Sequence, residues 1–208
     1  MKTVRIILWG LVVVALVGIV VAKVALPKQA SPASAQPQAA EKQLFKAPDL
    51  TLTDQEGKPF STSQLQGRVW VADFIFTSCA GSCPVMSHEM AGLQKKTPAD
   101  VNLVSFTVDP KTDTAPILKE YGQGLNADFA RWHFLTGTEK QVGEAAVGMK
   151  ISVVPADGKY ALTHSDRFLL VDRSGYVVGI YDGTNHDDVA RLAADATRLA
   201  NSGTERAS

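Results

Sequence analysis

The feature that most constrains this fold is an almost continuous apolar run, VWVADFIF, at residues 69–76. Asp73 is the one charged residue in that run. A strand that is apolar on both faces lies inside a sheet that is covered on both sides, because a half-exposed strand alternates instead. A second apolar run, VNLVSFTV, follows at residues 101–108. The sequence therefore predicts an α/β sheet with both faces covered.

The rest of the chain alternates between helix and strand. The spacing of apolar residues predicts four helices, at residues 84–96, 115–122, 139–148 and 187–199. Further strands are predicted at 132–135, in a hairpin of 168–171 with 176–181, and in two short runs around the turn 54–58. This order of elements predicts a thioredoxin-like α/β domain with an added N-terminal β-hairpin.

The N-terminal segment differs in composition from the rest. Lys2 and Arg5 are followed by 17 uncharged residues at 6–22, about the shortest run that spans a bilayer as a helix. We expect residues 1–26 to be an uncleaved transmembrane anchor whose basic end stays in the cytoplasm. A cleaved signal peptide is the alternative, and its best cleavage site is ASA at residues 33–35.

Composition also divides the remainder of the chain. Residues 27–43 are rich in Pro, Ala, Ser and Gln and contain no large apolar residue, so we expect a flexible linker. The folded domain is expected at residues 44–201, followed by a disordered tail at 202–208. Residues 1–43 hold five basic residues and one acidic residue, so the rest of this neutral chain carries a net charge of −4. An acidic domain without a basic stripe argues against nucleic-acid binding.

The chain has two cysteines, Cys79 and Cys83, between the strand at 69–76 and the helix that Pro84 opens. Because proline fits the first turn of a helix, Cys83 should lie at the helix start and Cys79 in the preceding loop. The free N–H groups of a helix start favour thiolates. Thiolates are the nucleophiles of disulfide exchange and also the soft ligands of copper. A structural disulfide is the alternative, but so short a loop would stabilise the domain little.

A third ligand would separate a metal site from a purely redox site. Three of the four histidines are expected at surface, packing or helix-capping positions: His88, His133 and His186. His164 comes shortly before the strand at 168–171, in a loop that a thioredoxin-like fold turns toward the cysteines. Two thiolates and an imidazole suit Cu(I), and the imidazole also allows Cu(II). A structural zinc site usually has four protein ligands, and a fourth is not evident.

Other side chains near the cysteines are assigned structural roles. We expect Asp73 to be a buried, hydrogen-bonded acid, and Asp109 and Asp113 to cap the helix that follows them. Met86 and Met90 are expected to pack in the core. Two further acids are weaker candidates for an oxygen ligand: Asp157 and Asp166.

These elements together resemble the Sco/SenC family over about residues 45–200. The resemblance is carried by Cys79-x-x-x-Cys83-Pro84 with Met86, by Val108-Asp109-Pro110 with Asp113-Thr114, by the strand at 132–137, and by Tyr160 to Ser165 around His164. It implies a thioredoxin-fold protein that binds copper through Cys79, Cys83 and His164. It also implies a single-pass anchor in a bacterial-type inner membrane, with the domain in the periplasm. The implied partner is cytochrome c oxidase subunit II, or another copper protein.

Three functions are compatible with these residues. The first is a copper metallochaperone that supports assembly of the dinuclear copper centre of the oxidase, as the resemblance implies. The second is a thiol-disulfide oxidoreductase, in which Cys79 and Cys83 act catalytically on the cysteines of a partner and His164 tunes a thiolate. The third is a thiol peroxidase, which would need an arginine beside the attacking thiolate. Arg68 and Arg131 could supply one only through folding.

Overall fold

The computed structural model describes residues 42–154 and 163–204. The predicted anchor, most of the predicted linker and residues 205–208 lie outside these ranges, as does Asp157. Within the ranges described, none of the helices combines the length and the hydrophobicity that a membrane span requires.

The elements of the described residues follow the predicted order. The strands are β1 (Phe45–Lys46), β2 (Thr51–Thr53), β3 (Pro59–Ser61), β4 (Trp70–Ile75), β5 (Asn102–Thr107), β6 (Trp132–Leu135), β7 (Val153–Val154), β8 (Thr163–His164), β9 (Arg167–Val171) and β10 (Tyr176–Asp182). The α-helices are α1 (Cys83–Lys96), α2 (Ala115–Gly124), α3 (Glu139–Gly148) and α4 (His186–Thr204). A 3₁₀ turn, Thr62–Leu65, follows β3.

Six strands form the central sheet, in the order β1-β10-β9-β4-β5-β6. Strands β4, β5 and β6 are parallel to one another, whereas β9 pairs antiparallel with both β4 and β10. Every residue of β4 and of β5 is buried. This confirms the prediction that the two apolar runs are interior strands.

The two faces of the sheet carry separate layers of the core. On one face, Val71 and Ile75 of β4 pack with apolar side chains of α1, α2 and α4. On the other face, Ala72 and Phe74 pack with α3 and with the hairpin formed by β2 and β3. The sheet is therefore covered on both sides, as predicted from its apolar strands.

The added hairpin protects one edge of the sheet. Strands β2 and β3 form their own two-stranded ladder, and Thr53 bridges to Thr136 just beyond the edge strand β6. The buried Gln55 accepts a hydrogen bond from the backbone N–H of Phe134 in β6. The hairpin thus satisfies polar groups that an open edge would leave unpaired.

Several boundaries differ from the predicted ones. Helix α1 begins at Cys83 rather than at residue 84, and α4 continues to Thr204 rather than ending at residue 199. The first residues of the predicted tail are therefore helical. Strands β1, β7 and β8 were not predicted, because two residues are too few to show a periodic pattern. The pair formed by β7 and β8 bears directly on the site, since β8 contains His164.

Candidate metal centre

The cysteine turn lies between the end of β4 and the start of α1. Cys83 is the first residue of α1 and is 1% exposed, whereas Cys79 is half-buried in the loop before it. Both cysteines are free thiols. The backbone N–H of Gly81 donates to Cys79 Sγ at 3.3 Å. The predicted placement of Cys83 at the helix start and of Cys79 in the preceding loop is confirmed, and the structure adds that Cys83 is buried while Cys79 is the more accessible thiol.

His164 reaches this turn from a distant part of the sequence. Its Nε2 lies 3.1 Å from Cys83 Sγ, although the two residues are 81 positions apart. Its Nδ1 lies 3.2 Å from the carbonyl oxygen of Ser165, and because a carbonyl can only accept, Nδ1 carries the proton in this contact. Nε2 consequently presents its lone pair toward the sulfur. The ring also meets Phe76 edge-on, with centroids 5.8 Å apart.

A short ribbon holds His164 in place. Its backbone pairs with Val153 across the two-residue strands β7 and β8. The N–H of Ser165 then donates to the carbonyl of Ser152 at 3.0 Å. The imidazole is therefore positioned by few backbone contacts rather than by a long strand.

A side-chain hydrogen bond also joins the two halves of the site. Ser82 Oγ donates to Asp166 Oδ1 at 2.5 Å. Ser82 occupies the N-cap position of α1, yet its side chain makes no capping bond to the helix. Asp166, a weaker candidate for an oxygen ligand, thus uses one carboxylate oxygen to bind the cysteine turn. Sequence reasoning missed this pair, because no local pattern relates the two loops.

The predicted role of Asp113 was wrong. Asp113 does not cap α2, whose N-cap residue is Thr114. Its fully buried carboxylate instead accepts hydrogen bonds from Thr77 Oγ1 at 2.5 Å, from Thr77 N at 3.1 Å and from Thr107 Oγ1 at 2.5 Å. Asp113 accepts three hydrogen bonds from the ends of two adjacent strands, and these are incompatible with capping the next helix. Asp113 therefore fixes the loop that leads to Cys79.

Asp109 does not cap α2 with its side chain either. Its backbone carbonyl accepts from the N–H groups of Thr112 and Asp113. Its own N–H donates to Thr107 Oγ1 at 2.9 Å. Asp109 therefore contributes a backbone turn after β5, which its sequence position alone did not distinguish from a cap.

Burial sets the protonation of Cys83. Removal from water raises the pKa of the Cys83 thiol far above its usual range, and the neighbouring Cys79 thiol raises it further. The sequence predicted a thiolate at this helix start, but Pro84 provides no N–H and desolvation outweighs the helix end. In the metal-free chain Cys83 is thus a neutral thiol, and a metal ion must displace its proton to bind.

Asp73 lies in the same core layer and behaves differently from the prediction. It is fully buried, as expected, but neither carboxylate oxygen has a hydrogen-bond partner among the residues described. Burial raises the pKa of Asp73 to about 7. The Ser105 hydroxyl, which accepts the indole N–H of Trp132 at 3.0 Å and keeps its own proton as a donor, lies near enough to offset part of that rise without forming a regular hydrogen bond to the carboxylate.

His88, His133 and the methionines have the structural roles predicted for them, but His186 does not cap α4, because Asn185 Oδ1 accepts the N–H groups of Asp187 and Asp188 there. His88 is exposed, with Nδ1 2.8 Å from the carbonyl of Pro84. His133 packs on the ring of Phe60, with centroids 4.4 Å apart, and His186 pairs with Glu89 at 3.2 Å. Two residues are fully buried in the core and are not candidate ligands in this arrangement: Met86 and Met90.

Neither of the two arginines considered from the sequence lies beside the cysteines. The guanidinium of Arg131 donates to Thr97 Oγ1 at 2.8 Å, beyond the C-terminal end of α1. Since α1 has 14 residues, that end lies about 20 Å from the cysteines. Arg68 precedes β4, at the end of the strand opposite to the cysteine turn. The peroxidase hypothesis therefore gains no support.

The donor types of the site fit a soft metal ion. Cys83 and His164 are in contact, while Cys79 Sγ faces the N–H of Gly81 on the adjoining loop. Within residues 42–154 and 163–204, no three His, Cys, Asp or Glu side chains already surround one point closely enough to hold an ion. Thiolate and imidazole donors match copper better than oxygen-seeking ions.

Comparison with known proteins agrees with this description. The sequence model of the SCO1/SenC family matches residues 38–201. A SCO1 protein homolog from Bacillus subtilis is 36% identical over 163 residues, which cover 74% of this chain and 84% of that relative. The family-model match therefore includes the whole region that contains the cysteine turn and His164.

Solved structures share the thioredoxin-like α/β fold. BsSco, described as a Sco-family cytochrome c oxidase assembly protein with a disulfide switch, is 33% identical with a TM-score of 0.69, covering 79% of this chain and 99% of that one. Bradyrhizobium japonicum ScoI with copper bound is 25% identical with a TM-score of 0.64, covering 74% and 99%. The family model spans well over half of the sequence, so this chain belongs to the SCO1/SenC family.

Proposed function

We propose that this chain is an extracytoplasmic copper-binding metallochaperone that supports assembly of the dinuclear copper centre of cytochrome c oxidase. Its copper ligands are Cys79, Cys83 and His164. The observation that carries the proposal is the 3.1 Å contact between Cys83 Sγ and His164 Nε2. The copper-bound ScoI and the oxidase-assembly role given for BsSco support it.

The two cysteines have different tasks in this proposal. Cys83 and His164 form the inner part of the site, and Cys83 loses its proton as copper binds. Cys79, whose sulfur accepts the N–H of Gly81 and neighbours the Cys83 thiol, supplies the third ligand. Because Cys79 is the more accessible thiol, a ligand of the client protein can replace it first. Copper then passes to the client by exchange of ligands.

Copper titration of the reduced protein tests this proposal. We expect one Cu(I) per chain in competition with a chelator. Cys79→Ala, Cys83→Ala and His164→Ala should each weaken binding by at least about 100-fold, because even partners of ligands contribute 10- to 100-fold. His88→Ala is the matched control, since His88 is exposed and bonded to Pro84. Unchanged affinity in all three ligand variants would refute the proposal.

We also propose the cellular placement that the sequence predicts. Residues 1–26 anchor the chain in the inner membrane, and the linker at 27–43 carries the domain into the periplasm. The support is the 17-residue uncharged run. A fusion of alkaline phosphatase after residue 43 should be active, and an inactive fusion would place the domain on the other side.

A thiol-disulfide oxidoreductase is the second candidate function. The supporting observation is the pairing of a half-buried Cys79 with a buried Cys83, both free. The Cys79 thiolate would attack a client disulfide and release one client thiol. Cys83 would then attack Cys79, releasing the second client thiol and leaving a Cys79–Cys83 disulfide. Two electrons pass to the client.

Copper-free reduced protein separates this second function from the first. It should reduce a disulfide-bonded peptide once per chain. Cys83→Ser should trap the mixed disulfide at Cys79, while His164→Ala should change the rate without stopping exchange. Failure of the copper-free protein to reduce the peptide would exclude this function and leave the metallochaperone proposal intact.

A further inference from the structure

The two halves of the candidate metal centre are linked by side chains other than the ligands. Ser82, directly before Cys83, donates its hydroxyl to the carboxylate of Asp166, two residues after His164, across 84 positions of sequence. The link therefore connects the start of α1 to the segment that carries the imidazole.

The hydroxyl of Ser82 is diverted from its usual role. A serine at a helix N-cap ordinarily accepts a hydrogen bond from a backbone N–H in the first turn. Here no such bond forms, and the hydroxyl is donated to Asp166 instead. Both side chains are half-buried, which shelters the bond from competing water.

Asp166 is itself held in place by the rest of the fold. Its carbonyl accepts the N–H of Gly183 at 3.0 Å, in the loop after β10. Gly183 packs closely against the core at this point, since a Cβ there would lie 3.0 Å from Met86 Cε, the flexible end of that side chain. The backbone of Asp166 is thus fixed by the loop after β10, and its side chain is half-buried.

The segment that carries His164 needs such a link. Strands β7 and β8 pair over two residues each, and ribbons this short are marginally stable on their own. The contact between His164 and Phe76 adds one edge-on ring interaction. A charge-assisted hydrogen bond to α1, whose inner face lies in the core, would oppose opening of the ribbon.

We propose that the Ser82–Asp166 hydrogen bond is a latch that holds His164 against Cys83 and slows the release of copper. This inference rests on the proposed function and names the residues that regulate it. Ser82 and Asp166 are positioning residues rather than ligands. A hydrogen bond to a charged group is strong enough to change a dissociation rate by about 10- to 100-fold.

The rate at which Cu(I) leaves the full-length chain tests the latch. Copper release to excess chelator should be about 10-fold faster, or more, in Ser82→Ala and in Asp166→Asn. The double variant should be no faster than either single variant, because both remove the same bond. Ser82→Thr keeps the hydroxyl and should restore slow release. Ser78→Ala, at an exposed position of the same turn, is the matched control.

A copper-free measurement keeps the latch separate from the proposed function. Hydrogen exchange at the Ser165 amide, which bonds to Ser152, should be faster in both single variants than in the wild type or in Ser78→Ala. If the chain binds no copper but this exchange accelerates, the bond still holds the segment of His164 in place, and the proposed function fails together with the effect on copper release. Additive release rates, or release and exchange equal to the wild type, would overturn the latch.

Discussion

The two halves of the metal centre are built in different ways. Cys83 begins a helix whose inner face, with Met86, Met90 and Leu93, is fully buried in the core. His164 lies on a two-residue strand that pairs with another two-residue strand. The cysteine half is therefore positioned by the folding of the whole domain, and the histidine half by a few local bonds.

This difference separates stability from metal binding. Regions with little buried apolar surface open at a smaller free-energy cost than the core does. Substitutions beneath α1 should consequently change the free energy of unfolding, whereas substitutions around β8 should change copper binding with little effect on folding. A substitution around β8 that lowers the free energy of unfolding more than one beneath α1 would contradict this comparison.

The largest effect on stability is expected beneath α1. Met90→Ala removes a fully buried side chain and should lower the free energy of unfolding by about 2–5 kcal/mol. Val154→Ala, at a 51% exposed position of β7, should change it by less than about 0.5 kcal/mol. Urea denaturation of the copper-free protein measures both. Equal losses of unfolding free energy in the two variants would show that the histidine half contributes as much to the stability of the fold as α1 does.

The next effect is the pH dependence that Asp73 confers. Its pKa rises from 3.8 to about 7 in the folded chain, so the folded state binds this proton more tightly than the unfolded chain. The free energy of unfolding should therefore fall as the pH rises from about 4 to about 7, by at most about 4 kcal/mol. The charge of Asp73 also raises the pKa values of Cys83 and Tyr121, but both of these groups ionise above that pH range and so do not contribute to the slope.

Asp73→Asn tests that slope directly. The variant cannot ionise, so the difference in unfolding free energy between it and the wild type should change with pH over this window. Denaturation curves at several pH values provide the measurement. A constant difference from pH 4 to pH 8 would contradict a raised pKa for Asp73.

A smaller effect on the free energy of unfolding is expected at Asp113, whose carboxylate fixes the loop that leads to Cys79. Thr107→Val keeps the shape of a buried side chain but removes the hydroxyl that donates to Asp113 and accepts the N–H of Asp109. The loss should be about 1–3 kcal/mol, because the carboxylate stays buried with fewer donors. Thr112→Val, at an exposed position nearby, serves as the control. Alkylation of Cys79 should also be faster in Thr107→Val, because the loop is held less firmly. An unchanged alkylation rate would show that Asp113 does not fix the position of the cysteine turn.

The smallest effect on folding is expected at the ligand in the histidine half. His164→Ala in the copper-free protein should lower the free energy of unfolding by less than about 1 kcal/mol, because few contacts hold this residue. Unfolding in the presence of a chelator measures it. A loss above about 3 kcal/mol would mean that the ribbon is as firmly integrated as α1.

The sequence predicted best the features that depend on long patterns. The interior strands β4 and β5 and the helices were predicted to within a few residues, because their apolar periodicity extends over many positions. Strands β7 and β8 are too short to show a period. The meeting of His164 with Cys83 followed from the expected topology, since loops at one end of a sheet converge.

Pairings between loops could not be predicted. The bond between Ser82 and Asp166 depends on the path of two segments 84 residues apart. Asp113 was assigned to a cap because local spacing is compatible with one, whereas its partners come from two strand ends. The burial of Asp73 followed from its apolar neighbours, but its lack of a partner in the described residues depends on packing.

X-ray absorption spectroscopy of the Cu(I)-loaded chain tests the central claim, that sulfur from the rigid half and nitrogen from the weakly held half bind the same ion. The wild type should show two sulfur donors and one imidazole nitrogen. His164→Ala should retain both sulfur donors and lose the nitrogen. An imidazole signal that persists in His164→Ala, or a wild-type spectrum with sulfur donors alone, would contradict the account.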